Sequence, residues 1–177
     1  MEAPASTTLV VVGDEATSAI HALEGYANVR ALAFDGISDD EVARWSATAD
    51  APYFVHDHDP LGHVAAAWVE FFDDQSTYGV LELEIDRAVE AAERHEISVP
   101  DYYVVLHPEE LAPTWQHWWL GVLASASPTR VIPWPDADDS LARLLRHLPT
   151  GRAWPEVESW LPGVVRAVPD RVGLPGS

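Results

Sequence analysis

The fold this chain predicts is α/β, three-layered, with a mainly parallel sheet of four to five strands. Three observations carry that reading. Short β-branched or apolar runs recur at residues 7–12, 28–34, 53–57 and 102–106. Amphipathic helical patterns separate them. The connecting loops are short, which favours parallel strands with right-handed crossovers.

Thr7-Thr8-Leu9-Val10-Val11-Val12 reads as a fully buried strand ending at Gly13. Asp14 and Glu15 then open a helix, where its dipole favours acidic side chains. Ile20, Leu23 and Gly25 supply its inner face and its stop. A second strand spans Asn28 to Phe34. Ser38-Asp39-Asp40-Glu41 has the form of a capping box for a helix to about Ala49. A third strand, within 52–57, leads to a helix from Gly62 to Phe72 with Val64, Ala67, Trp68 and Phe71 at helical spacing. A long helix follows to about Glu96, with its core stripe at Leu81, Ile85, Ala88, Val89 and Ala92. Tyr102 to Leu106 forms the fourth strand, closed by His107-Pro108.

The last third changes character. Trp115, Trp118, Trp119 and Val122 make an apolar stripe at helical spacing, and Arg130 to Trp134 reads as an edge strand because Pro133 suits no central one. Leu141 to Leu148 and Val157 to Val165 give two more helices, the second broken at Pro162. A single domain over 1–172 is expected. It comprises a first half at 7–70 and a Trp-rich extension at 75–172, and a loose tail at 173–177 follows it.

Charge narrows the function. Acidic residues number 29 and basic ones 10, a net charge of −19; every basic residue is arginine and cysteine is absent. Such a surface suits a cytosol of molar salt, where charges are screened within about 3 Å. No basic stripe offers a phosphate-backbone footprint, so a nucleic-acid contact would have to run through a metal. No disulfide can form, no apolar run approaches a membrane span, and no basic leader precedes the first strand. A cytoplasmic location is expected.

The densest functional stretch is 52–67, where Asp57 and Asp59 lie one residue apart at the end of a strand, followed by Gly62 and an Ala-rich helix start. In parallel sheets this edge binds ligands, and a pair of carboxylates suits a hard divalent cation. His56, His58 and His63 stand beside them. Imidazole would shift preference from Mg²⁺ toward Mn²⁺ or Zn²⁺. Strand alternation sends His56 and His58 to one side and Asp57 and Asp59 to the other, so all four do not meet one ion. Asp35 and His107, closing two other strands, join the list of edge candidates.

The order of elements over residues 7–70, with Val11-Val12-Gly13-Asp14-Glu15-Ala16 and Asp57-His58-Asp59-Pro60-Leu61-Gly62-His63-Val64-Ala65-Ala66, resembles a Toprim domain, the metal-binding module of primases, topoisomerases and some nucleases. The resemblance implies a Rossmann-like sheet and Mg²⁺ at Asp57 and Asp59. In the family a glutamate directly precedes the first strand's glycine; here that position is Val12, and a later family aspartate falls at Ala16. Asp14 or Glu15 would have to replace that glutamate as the catalytic group. The expectation is a degenerate, non-catalytic binding or assembly module acting through the Trp-rich half, with a protein partner or a second copy. The alternative is a Mg²⁺-dependent phosphodiester or nucleotide phosphohydrolase.

Overall fold

The computed structural model describes residues 6–135 and 141–169. The expected tail, 173–177, lies outside the described residues. Among the described residues five strands, β1 (Thr7–Val12), β2 (Val29–Leu32), β3 (Tyr53–His56), β4 (Tyr102–Leu106) and β5 (Val131–Trp134), form one sheet in the order β2-β3-β1-β4-β5. All four pairings are parallel. The architecture is that of a Rossmann-like three-layer α/β fold.

Alternation along β1 divides the core in two. Leu9 and Val11 face a layer holding Ile20 of α1 (Ala16–His21) and Leu141, Leu144 and Leu145 of α7 (Leu141–Leu145). Val10 and Val12 face the larger layer. That layer is built from α3 (Gly62–Phe72), α4 (Tyr78–Glu93), α5 (Pro113–His117) with its continuation, and α8 (Val157–Trp160). β4 is buried at every position, as a strand covered on both faces must be.

Local signals explain most of the helices. In α2 (Asp39–Thr48) the Glu41 carboxylate accepts from the Ser38 amide at 3.3 Å and from its hydroxyl at 2.9 Å. Leu81 and Ile85 are the fully buried positions of α4, with Ala88, Val89 and Ala92 packed beside them. β5 is an edge strand and its Pro133 is exposed. The last helix passes into a 3₁₀ turn, Leu161–Arg166, around Pro162.

Another helix also departs from the expected α geometry. After α5 the chain widens into a π-helical turn, Trp118–Leu123, before the short α6 (Ala124–Ala126). The wider turn lets two successive tryptophans, Trp118 and Trp119, both reach the interior. Gly121 leaves room for the His117 ring, which a Cβ would approach to 3.0–3.2 Å and force to shift. That ring stacks on Trp68 at 5.9 Å. Trp68 in turn donates to the Val164 carbonyl at 3.0 Å and ties α3 to the C-terminal turn. Trp115, Trp118, Trp119, Trp154 and Trp160 thus belong to the larger layer, whereas Trp134 packs against the other.

Candidate functional site

The connection leaving β1 runs through α1 toward β2, whereas the one leaving β4 runs toward β5 on the opposite side. Chain segments that part in this way open a crevice at the carboxyl ends of the two strands, the usual ligand position in open parallel sheets. Gly13 closes β1 with φ +120°, and a Cβ there would meet the Leu106 Cβ and carbonyl oxygen at 3.1 Å. The two strand ends are therefore held as close as a glycine permits.

His107 follows β4 in the left-handed conformation (φ 43°, ψ 55°), an uncommon backbone for a residue with a side chain. Its amide donates to the Trp134 carbonyl at 3.0 Å, and its own carbonyl accepts from Glu110 at 2.9 Å, closing the turn Pro108–Glu110. Each ring nitrogen faces a carboxylate: Nε2 lies 3.7 Å from Glu15 Oε2, and Nδ1 lies 3.8 Å from Glu109 Oε1. Donor atoms of His107, Glu109 and Glu110 all fall within 4.8 Å of one another. This cluster could hold a metal ion. Ligand atoms around one ion with bonds of about 2.0–2.2 Å sit about 3–3.5 Å apart. Glu109 and Glu110 are exposed and free to rotate inward by that margin.

The Asp-x-Asp pair has other partners. Asp57 Oδ1 accepts from the Phe34 amide at 2.8 Å, and Oδ2 from the Thr17 hydroxyl at 3.1 Å, so this carboxylate clamps the end of β2 and the start of α1 to β3. Asp59 turns under the start of α3. Its Oδ1 accepts from the Leu61 amide at 2.9 Å and from the Tyr103 hydroxyl at 2.8 Å. Its Oδ2 is shielded from water and has no hydrogen-bond partner among the described residues. The residue keeps some exposed surface but its carboxyl group is enclosed, and that desolvation pushes its pKa up to about 6 against the pull of its two hydrogen bonds. Burial also raises the Tyr103 hydroxyl well above its ordinary value, with the Asp59 charge adding to it.

The neighbouring histidines split three ways. His56 is buried, packed against Phe54 and Phe34, and its Nδ1 accepts from the His58 amide at 3.3 Å. Desolvation lowers its pKa to about 4, with repulsion from His58 second. His58 pairs with Asp39 at the N-terminus of α2, Nε2 to Oδ1 at 2.5 Å. His63 is exposed in the first turn of α3. Asp14 and Asp35 are also exposed.

Of the residues singled out in the sequence, the structure therefore brings His107 and Glu15 together. Among the described residues, Asp57 and Asp59 do not share a tight three-donor cluster with Asp14, Glu15 or the histidines. Glu109 and Glu110 are the additions that sequence reasoning missed. The available signal was a histidine at a strand end followed by Pro-Glu-Glu. No described helix is long and apolar enough to cross a membrane. No protein-family model matches the chain, and no curated protein or solved structure matches it either.

Proposed function

We propose that this chain is a non-catalytic binding module on a Toprim-like scaffold, and that it holds a divalent cation in the crevice between β1 and β4. The observation that carries the reading is the left-handed His107, whose imidazole clusters with Glu109 and Glu110, its Nε2 facing Glu15, at the point where the connections part. One imidazole with two carboxylates favours a borderline ion such as Mn²⁺ or Zn²⁺ over Mg²⁺. The non-catalytic half of the reading is supported by three facts: Val12 is packed into the core, both Asp57 oxygens are engaged, and the Asp59 carboxyl is enclosed. A phosphohydrolase centred on Asp57 and Asp59 would have to give up those hydrogen bonds to present its carboxylates to one ion.

Calorimetric titration of Zn²⁺, Mn²⁺ and Mg²⁺ into wild type, His107→Ala and Asp57→Asn separates the two readings. The binding module predicts saturable Zn²⁺ or Mn²⁺ binding, weakened by tenfold or more in His107→Ala, in line with about 1.4 kcal/mol or more for a lost ligand, and retained in Asp57→Asn. Binding that survives His107→Ala and disappears in Asp57→Asn would refute it in favour of the Asp-x-Asp hydrolase.

A further inference from the structure

A second concavity lies on the other flank of the same sheet edge, outside β3. It encloses about 490 Å³ between the start of α2, the first turn of α3 and the C-terminal half of α4, within the usual range of about 300–1,000 Å³ for a small-molecule site. Its floor is apolar, formed by Val64, Ala91 and Ile97, and its polar wall is formed by Asp39, Glu84 and Arg87.

The polar groups carry both signs, and each has capacity left. Asp39 uses Oδ1 for His58 and leaves Oδ2 open. Glu84 and Arg87 meet through one contact, Nη1 to Oε1 at 2.9 Å, so Oε2, Nε and Nη2 remain. The N–H groups of His63 and Val64, in the first turn of α3, have no carbonyl acceptor among the described residues. The lining thus offers two carboxylate oxygens together with a guanidinium fork and two helix amides, and Glu84 and Arg87 stand side by side. A simple anion would be repelled by Asp39 and Glu84. A simple cation would leave Arg87 and the helix amides without a partner.

We propose that this cleft binds a free amino acid with a large apolar side chain. Its ammonium group bonds Asp39 and Glu84. Its carboxylate bonds Arg87 and the first-turn amides of α3, where the helix dipole adds to the attraction. The side chain lies on Val64, Ala91 and Ile97. This site is independent of the cation crevice at His107, and neither reading needs the other.

The test is amide NMR titration of the full chain with L-phenylalanine, phenethylamine and 3-phenylpropanoate, three probes that share a skeleton and differ in charge. L-Phenylalanine is expected to shift the amides of His63, Val64, Ala91 and Ile97 saturably, and each single-charge analogue to bind about tenfold or more weakly, one charge-assisted contact set being worth about 1.4 kcal/mol or more. Arg87 is exposed, so Arg87→Gln will fold; it is expected to weaken L-phenylalanine about tenfold and leave phenethylamine unchanged. Phenethylamine binding as tightly as the amino acid would reduce the effect to attraction by the acidic surface and overturn the proposal. So would the absence of cleft shifts at saturating L-phenylalanine. His107→Ala should leave the titration unaltered.

Discussion

Replacing Asp59 by asparagine should change the pH dependence of stability by an amount the structure fixes. The folded carboxyl titrates at about 6, against an ordinary value of 3.8. The folded state therefore keeps its proton to higher pH than the unfolded chain does, and the penalty for ionising it grows as pH rises from 3.8 to 6 and is constant above. A shift of that size corresponds to about 3 kcal/mol at full ionisation, since one pKa unit is about 1.36 kcal/mol. The side chain that Asp59→Asn introduces cannot ionise. Its carbonyl oxygen can accept the same two bonds, from Leu61 and Tyr103, and its amide nitrogen takes the place of Oδ2, which is unbonded among the described residues of the native protein. The two side chains are thus nearly matched at low pH. Urea unfolding of both proteins at pH 4, 5, 6 and 7.5 should show the variant gaining about 2.5 kcal/mol on wild type across the range. Tyr103→Phe removes one of the bonds that holds the pKa down, and should steepen the wild-type loss. A difference between wild type and Asp59→Asn that stays flat with pH, or shrinks as pH rises, would refute the enclosed-carboxyl argument.

Two further substitutions read other parts of the structure. His56 has the opposite sign: its folded pKa is about 4 and its ordinary value 6.5, so its contribution is complete above 6.5 and is lost as pH falls toward 4. His56→Phe, packed against Phe34 and Phe54, should gain about 3 kcal/mol on wild type between pH 7 and pH 4, over a constant offset for the lost bond to the His58 amide; thermal or urea unfolding at both pH values measures it. Gly13→Ala meets both a φ of +120° and a 3.1 Å approach to Leu106, and should cost about 1–3 kcal/mol in urea unfolding. It should also weaken any cation bound at His107 by spreading the two strand ends.

The fold was legible where signals were local. The 62–72 helix, the capping box at Ser38 and the 102–106 strand each declare themselves within a dozen residues, and the structure follows them closely. Strand β2 is shorter than its apolar run because Ala33 and Phe34 leave the ladder, and the Phe34 amide bonds Asp57 instead. The π-helical turn was not legible. Trp115, Trp118, Trp119 and Val122 have ordinary α spacing, and the deviation depends on the His117 ring meeting Gly121 and Trp68 in three dimensions. The site was half legible. Asp57, Asp59, Glu15 and His107 could be assigned to one sheet edge from their strands, but which carboxylate meets which imidazole depends on two things no periodicity encodes. One is the lateral strand order, which sets β4 beside β1. The other is the left-handed turn at His107, which brings Glu109 and Glu110 back toward the crevice.

The exposed proline of β5 bears on how copies of this chain avoid one another. An open sheet presents unpaired backbone groups at both outer strands, and a second molecule can add itself there. At one end β2 carries Arg30, exposed and lying 5.3 Å over the Trp45 ring; at the other, Pro133 interrupts β5. A net charge of −19 keeps molecules apart in dilute buffer, but in molar salt that repulsion reaches only about 3 Å. Pro133 has no N–H to offer at any ionic strength. The deterrent to edge-on polymerisation at that strand is therefore covalent, and it persists under the conditions that switch the electrostatic one off.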